Sequence, residues 1–256
     1  MASIATTLGE GLRDRSYNKV VHWILVAGLT CLGAVVLYDY GFLSYLYAAD
    51  SSRISVLITV LFVGFSLYCL GIIFRFSQEL SLVTEAAQRL ARGEAPRVHD
   101  EDIWLGDFRL PRPRLVTEHL LDLMLKRQRD AEAQPGVLLD SFISQFRSRT
   151  RFGTYASDVL YKLGMLGTVI GFIQMLGSLD AIEDFSTETL RASLQTMTGG
   201  MATALLTTVA GLVCGLILRV QFNMADAVAA DVVKRTVRIG DIYLAPTAKT
   251  APDVRA

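Results

Sequence analysis

Only six of the 256 residues are proline, and none of them falls in the four long stretches that lack Asp, Glu, Lys and Arg: Val20 to Tyr38, Ile54 to Phe74, Leu163 to Leu179 and Ala192 to Leu218. Each stretch is therefore free to form an unbroken helix, and nothing signals the discontinuous helices or repeated halves of a self-contained secondary transporter. Cysteine is as scarce: Cys31, Cys69 and Cys214 all lie within these stretches, at separations that fit neither a disulfide framework nor a metal or redox motif. The three histidines, His22, His99 and His119, stand singly. Formal net charge is zero, which removes any global electrostatic case for nucleic acid. There is no phosphate-binding glycine loop, no nucleophile elbow and no metal-spaced His/Cys group, so no catalytic residue, cofactor or metal is expected.

What is present is apolar length. The chain is 52% hydrophobic with a mean hydropathy of +0.38. The four uncharged stretches run roughly 17 to 27 residues, close to the ~20 that a helix needs to cross ~30 Å of hydrocarbon. These features predict an all-α integral membrane protein with four transmembrane helices. Arg13, Arg15 and Lys19 precede the first stretch, Arg75 follows the second, and Arg219, Lys234, Arg235 and Arg238 follow the fourth. The loops 39–53 and 180–191 carry Asp39, Asp50, Asp180, Glu183, Asp184 and Glu188 against one arginine each. By the positive-inside rule both termini and the long 75–162 connection are cytoplasmic and the two acidic loops face out. The first span has no small-residue cleavage site behind it, only YDYGFLSYLY, and is expected to stay as an anchor. His22 beside Trp23 reads as an interfacial residue.

The expected layout is a cytoplasmic segment over 1–19, the first two spans over 20–75, a cytoplasmic helical region over 76–155, a second pair of spans over 156–220, and a cytoplasmic helix with a disordered tail over 221–256. Phe76, Leu80, Val83, Ala87 and Leu90 recur at helical spacing and predict that the second span continues beyond the membrane to near Gly93. From there to Arg114, Pro96, Gly106, Pro111 and Pro113 are expected to break any regular element. A helix then restarts at Leu115 and stops before Pro135. Leu139, Phe142 and Phe146 predict a further helix from Val137 into the third span, and Met224, Val228 and Val232 a cytoplasmic extension of the fourth.

The last two spans are poor in side chain. Gly164, Gly167, Thr168 and Gly171 cluster on one side of the third, and Thr196, Gly200, Thr203, Thr207, Gly211 and Cys214 repeat along the fourth, with Gly215 beside them. Small faces allow membrane helices to approach closely, so Gly164, Gly167, Gly171, Gly200, Gly211 and Gly215 read as helix-packing positions. Packing would be served as well by alanine, yet the fourth span holds Thr196, Thr198, Thr203, Thr207 and Thr208. A hydroxyl-lined ion path is the alternative to simple helix contact.

These residues also carry a resemblance. LGMLGTVIGF, followed after a short acidic loop by TGGMATALLTTVAGLVCG, resembles the paired-helix signature of the MotA/TolQ/ExbB proton-channel family, over roughly residues 155 to 220. The resemblance implies a homo-oligomeric ring, a pentamer, whose third and fourth spans line an inner wall around two single-span helices of a MotB/TolR/ExbD-like partner, in a bacterial inner membrane. It also implies that Thr168 and Thr208 are the pore threonines. The small polar stripe favours Thr207 instead, and Thr203 stands where some members carry a glutamate. Tyr161 stands where a proline is often found. Four spans with both termini inside resemble the MotA layout, whereas the LGTVIG wording is closer to TolQ and ExbB.

No Asp, Glu, Lys, Arg or His occurs between Leu163 and Leu179 or between Ala192 and Leu218, although a proton path needs a group that can hold and release the proton within the bilayer. If protons cross here, another chain brings the carboxylate; by the resemblance it is an aspartate of the partner. The expected function is thus a ring-forming subunit of a motor driven by protons or by sodium, with no enzyme activity. A non-conducting membrane scaffold or sensor and a secondary transporter stand as alternatives.

Overall fold

Each uncharged stretch lies inside a longer helix. The computed structural model describes residues 2–50, 52–94, 96–99, 102–111, 114–129, 136–180 and 186–243. The tail expected to be disordered, the acidic residues Glu183 and Asp184, and the break at Pro135 lie outside the described residues. In order, the elements are α1 (Ala2–Asp39), α2 (Phe42–Ala49), α3 (Ile54–Ala91), β1 (Pro96–His99), β2 (Asp102–Leu105), β3 (Phe108–Leu110), α4 (Leu115–Arg129), α5 (Gly136–Asp180) and α6 (Thr187–Tyr243). Four of them, α1, α3, α5 and α6, are long and apolar enough to cross a bilayer. At ~1.5 Å per residue α5 extends about 68 Å and α6 about 85 Å, two to three times the hydrocarbon thickness.

The chain divides into two compact units, to both of which α3, α5 and α6 contribute. The first, the span unit, comprises residues 21–72 and 149–225. Gly41, with φ 73°, turns the chain from α1 into α2 in a left-handed conformation that a side chain would strain. Asp50 ends α2, and its buried carboxylate accepts from Ser52 N (3.0 Å), Ser52 Oγ (2.6 Å) and Ser55 N (2.7 Å), which holds the first turn of α3. Burial pushes the Asp50 carboxyl up, but the hydrogen bonds from Ser52 and Ser55 outweigh it and leave it below the usual carboxylate range. Phe152 of α5 packs edge-on against Phe65 and Tyr68 of α3, with ring centroids 5.6 and 5.2 Å apart.

The second unit holds the remaining parts of the three long helices with α4 and the strands. Its core is Phe76, Leu80 and Val83 of α3, Phe142 and Phe146 of α5, and Val228, Val232 and Ile239 of α6, all buried. Phe146 stands 5.0 Å from Phe76 and 5.1 Å from Phe142, and Arg235 Nη1 donates to Thr84 Oγ1 at 2.7 Å. Within the stretch from Gly93 to Arg114 the described residues correct an expectation: Pro96–His99, Asp102–Leu105 and Phe108–Leu110 form a three-stranded antiparallel sheet in the order β1-β2-β3. Ile103, Leu105 and Leu110 point to the buried side, the period of two that a half-buried strand requires. Gly106, with φ 57°, makes the two-residue turn between Leu105 and Phe108. Pro96 opens an edge strand, where a missing N–H costs least. Pro96 and Gly106, expected to prevent structure, therefore punctuate it.

His119 of α4 is buried and stacks on Phe142 with centroids 4.2 Å apart. Burial pushes the imidazole below its ordinary value, and the Asp122 carboxylate opposes this in part. The folded unit therefore prefers the neutral ring, and this contribution to stability is complete above about pH 6.5 and drains away as the pH falls toward the depressed folded value. His119→Phe should flatten the acid side of a thermal unfolding profile of the full chain between about pH 5 and 7. An equally steep decline in the variant would assign it to other groups.

Candidate functional site

Inside the span unit α5 and α6 run antiparallel at backbone contact, and the glycines set how close they come. A Cβ built on Gly164 would lie 3.2 Å from Gly211 Cα and from Thr207 O. One on Gly171 would lie 2.5 Å from Gly200 O, and one on Gly200 2.7 Å from Gly171 O. One on Gly167 would strike the Thr207 side chain, and one on Gly211 would lie 2.8 Å from Gly164 Cα. Gly215 receives the ring of Tyr161, whose Cε1 would be 2.6 Å from an added Cβ. Gly177 and Gly199, by contrast, have open space within 4 Å. Between lipid-exposed helices, where no hydrophobic drive favours association, such close approach supplies the van der Waals contact that holds the pair.

The four threonines expected on an ion path divide into two kinds. Thr203 and Thr207 are fully buried within the single chain. Thr203 Oγ1 donates to Ala49 O at 2.9 Å, tying α6 to the end of α2. Thr207 Oγ1 donates to Thr203 O at 2.7 Å from the contact with Gly167. Neither presents a hydroxyl to an open surface of the single chain. Thr168 and Thr208 are half-exposed. Thr208 Oγ1 donates to Ala204 O (3.0 Å) and across to Gly164 O (3.2 Å), while the Thr168 hydroxyl donates to Met165 O. Thr196 and Thr198 are exposed and bond to carbonyls of their own helix.

An open, apolar cavity of about 410 Å³ lies along this face, lined by Thr168, Gly171, Phe172, Met175, Met201 and Ala204 among others. The sequence reading passed over Met175, Met201 and Ala204. The signal that could have found the methionines is spacing, since Met175 stands seven residues after Thr168 and Met201 seven before Thr208, and seven residues are close to two turns. A groove of this kind suits an apolar helix surface: its lining is apolar apart from Thr168 and carries no fixed charge.

Four membrane-length helices, of which the last two are locked together through glycine, define a multi-pass helical membrane protein with a paired-helix wall. Residues 138–237, which hold nearly all of α5 and most of α6, match the model of the MotA/TolQ/ExbB proton channel family. No curated protein and no solved structure matches the chain.

Proposed function

We propose that the protein is a ring-forming subunit, five-fold, of a proton-driven motor that couples an ion gradient to movement of a partner protein. The observation that carries this reading is the open groove lined by half-exposed Thr168, with half-exposed Thr208 on α6 and no Asp, Glu, Lys, Arg or His among the lining residues. A membrane proton path without a titratable group of its own requires one from outside. Two copies of a single-span MotB/TolR/ExbD-like partner would bring an aspartate into the ring. The carboxylate takes a proton from the outer side, loses its charge, passes the wall and releases the proton inward. Hydroxyls suit the passage because they exchange hydrogen bonds without trapping a carboxylate. Each charge crossing 100 mV releases about 2.3 kcal/mol, enough to bias a rotation step of ring against core. Sodium is the alternative ion. The channel unit is 156–220, and 76–155 and 221–256 face the cytoplasm of a bacterial inner membrane.

One observation favours a second reading. The hydroxyls of Thr168 and Thr208 bond to backbone carbonyls, as structural threonines in membrane helices do, which is what a non-conducting scaffold or sensor would show. The direction of ion flow is tested by cysteine labelling in a background without Cys31, Cys69 and Cys214. Asp107, exposed in the β2–β3 turn, when replaced by cysteine should resist a membrane-impermeant thiol reagent in intact cells and react after lysis, whereas Tyr40→Cys, at a position 84% exposed, should react from outside. The reverse pattern overturns the orientation and the inward flow.

A further inference from the structure

The antiparallel contact of α5 and α6 repeats at seven-residue steps. Tyr161 meets Gly215, Thr208 bonds across to Gly164 O, four residues before Thr168, and Met175 joins Met201 in the cavity. The hydroxyl rung is thus bounded about 10 Å away on each side, by thioethers toward the α5–α6 loop and by a phenol toward Lys162. The tyrosine is held in place: its ring lies over Gly215, where a Cβ would come within 2.6 Å of Cε1 and 2.9 Å of Cδ1 and Cζ. Its side chain is half-exposed, and its phenol oxygen makes no hydrogen bond among the described residues. The next group of this face along α6, four residues beyond Gly215, is exposed Arg219.

We propose that Tyr161 is an ion-path residue: its hydroxyl is the station that takes over the released proton, through intervening water, from the threonine rung toward the Lys162 end. This rests on the channel reading above and extends it in one direction. The three properties that qualify Tyr161 are a neutral hydroxyl that can both donate and accept, a ring fixed by the missing side chain at Gly215, and exposure on the same face as Thr168. The step moves one proton along hydrogen bonds, each oxygen accepting one and giving up another, and leaves the phenol unchanged. The methionine rung offers no such group, since a thioether is only a weak acceptor and cannot pass a proton on.

The test uses the full chain, co-expressed with its native membrane subunits, in inside-out vesicles whose proton movement is followed with a pH-sensitive dye. Tyr161→Phe keeps the ring on Gly215 and removes the hydroxyl; it should lower the partner-dependent proton flux about tenfold in complexes of unchanged size. Tyr161→His keeps a ring that can exchange protons and should give a flux with a new inflection near about pH 6.5, which a merely structural role would not produce. Wild-type flux in Tyr161→Phe, with flux lost in Thr168→Val, overturns the inference and leaves the channel reading standing. Wild-type flux in both variants overturns the channel reading itself. Should Tyr161→Phe fail to assemble, the histidine variant decides: no new inflection overturns the inference.

Discussion

Thr168→Val and Thr208→Val are expected to leave the assembled complex at wild-type mass while its ion-driven activity falls at least tenfold, and Thr→Ser at either position should keep much of the activity. Valine has nearly threonine's shape, so the groove beside Gly171 and Ala204 stays filled to the same degree and the helices need not move. What is lost is a hydroxyl that meets a charged or protonating carboxylate, an interaction of about 1.5–3 kcal/mol, hence roughly ten- to a hundredfold in rate. The bonds of Thr168 to Met165 O and of Thr208 to Ala204 O and Gly164 O leave the oxygen's lone pairs free to accept from a protonated carboxyl, whereas a charged carboxylate needs the hydroxyl to turn from its carbonyl and donate. Native mass measurement, with five copies and two of the partner expected, separates the outcomes. Intact complexes with full activity would return both threonines to helix contact. Complexes that fall apart would make the hydroxyls structural, as the scaffold reading holds. Thr203→Val and Thr207→Val act elsewhere: both side chains are fully buried, so any effect should appear as lost stability before lost conduction.

The largest effect on stability is expected from a single added methyl group at the glycine contact. Gly171→Ala would place Cβ 2.5 Å from Gly200 O and 2.6 Å from Ala204 N, and Gly211→Ala would place it 2.8 Å from both Gly164 Cα and Leu160 O. These neighbours are backbone and cannot rotate away, so α5 and α6 must separate along their whole contact. Overpacking of this kind costs about 1–3 kcal/mol or more. Gly177→Ala and Gly199→Ala meet nothing within 4 Å and should be neutral or gain up to about 1 kcal/mol from the better helix former. Denaturing-detergent titration of dispersed single chains reads both sets. Equal losses at all four positions would mean that helix propensity, not the close contact, governs these sites.

Much of this was legible from one dimension, and the reason lies in the solvent. Hydrocarbon forbids unpaired charge and unpaired backbone over ~30 Å, so four uncharged stretches with no proline become four helices whatever their neighbours are. The helical continuations after Phe74 and before Leu163 were readable because Phe76, Leu80, Phe142 and Phe146 keep a helical period beside polar residues. The sheet at 96–110 was not. Its strands are three or four residues long, too short for a period of two to stand out beside their prolines, and their pairing depends on which residues meet across the turn at Gly106.

The sequence by itself determined the four membrane-length helices, the glycine-rich face of the last two and the absence of Asp, Glu, Lys, Arg and His there, because each follows from composition along one helix. Only the tertiary structure decided which hydroxyls are covered and which are open. Thr207 and Thr208 are adjacent on the helix, about 100° apart, and nothing local says which one meets Gly167. It also decided the register of the span unit, where Phe152, well before the uncharged stretch that begins at Leu163, packs against Phe65 and Tyr68 in the middle of the uncharged stretch of α3. Hydropathy fixes how long each helix must be, but aromatic and glycine contacts between helices fix how far each slides along its neighbour, and those contacts join residues that the chain itself keeps far apart.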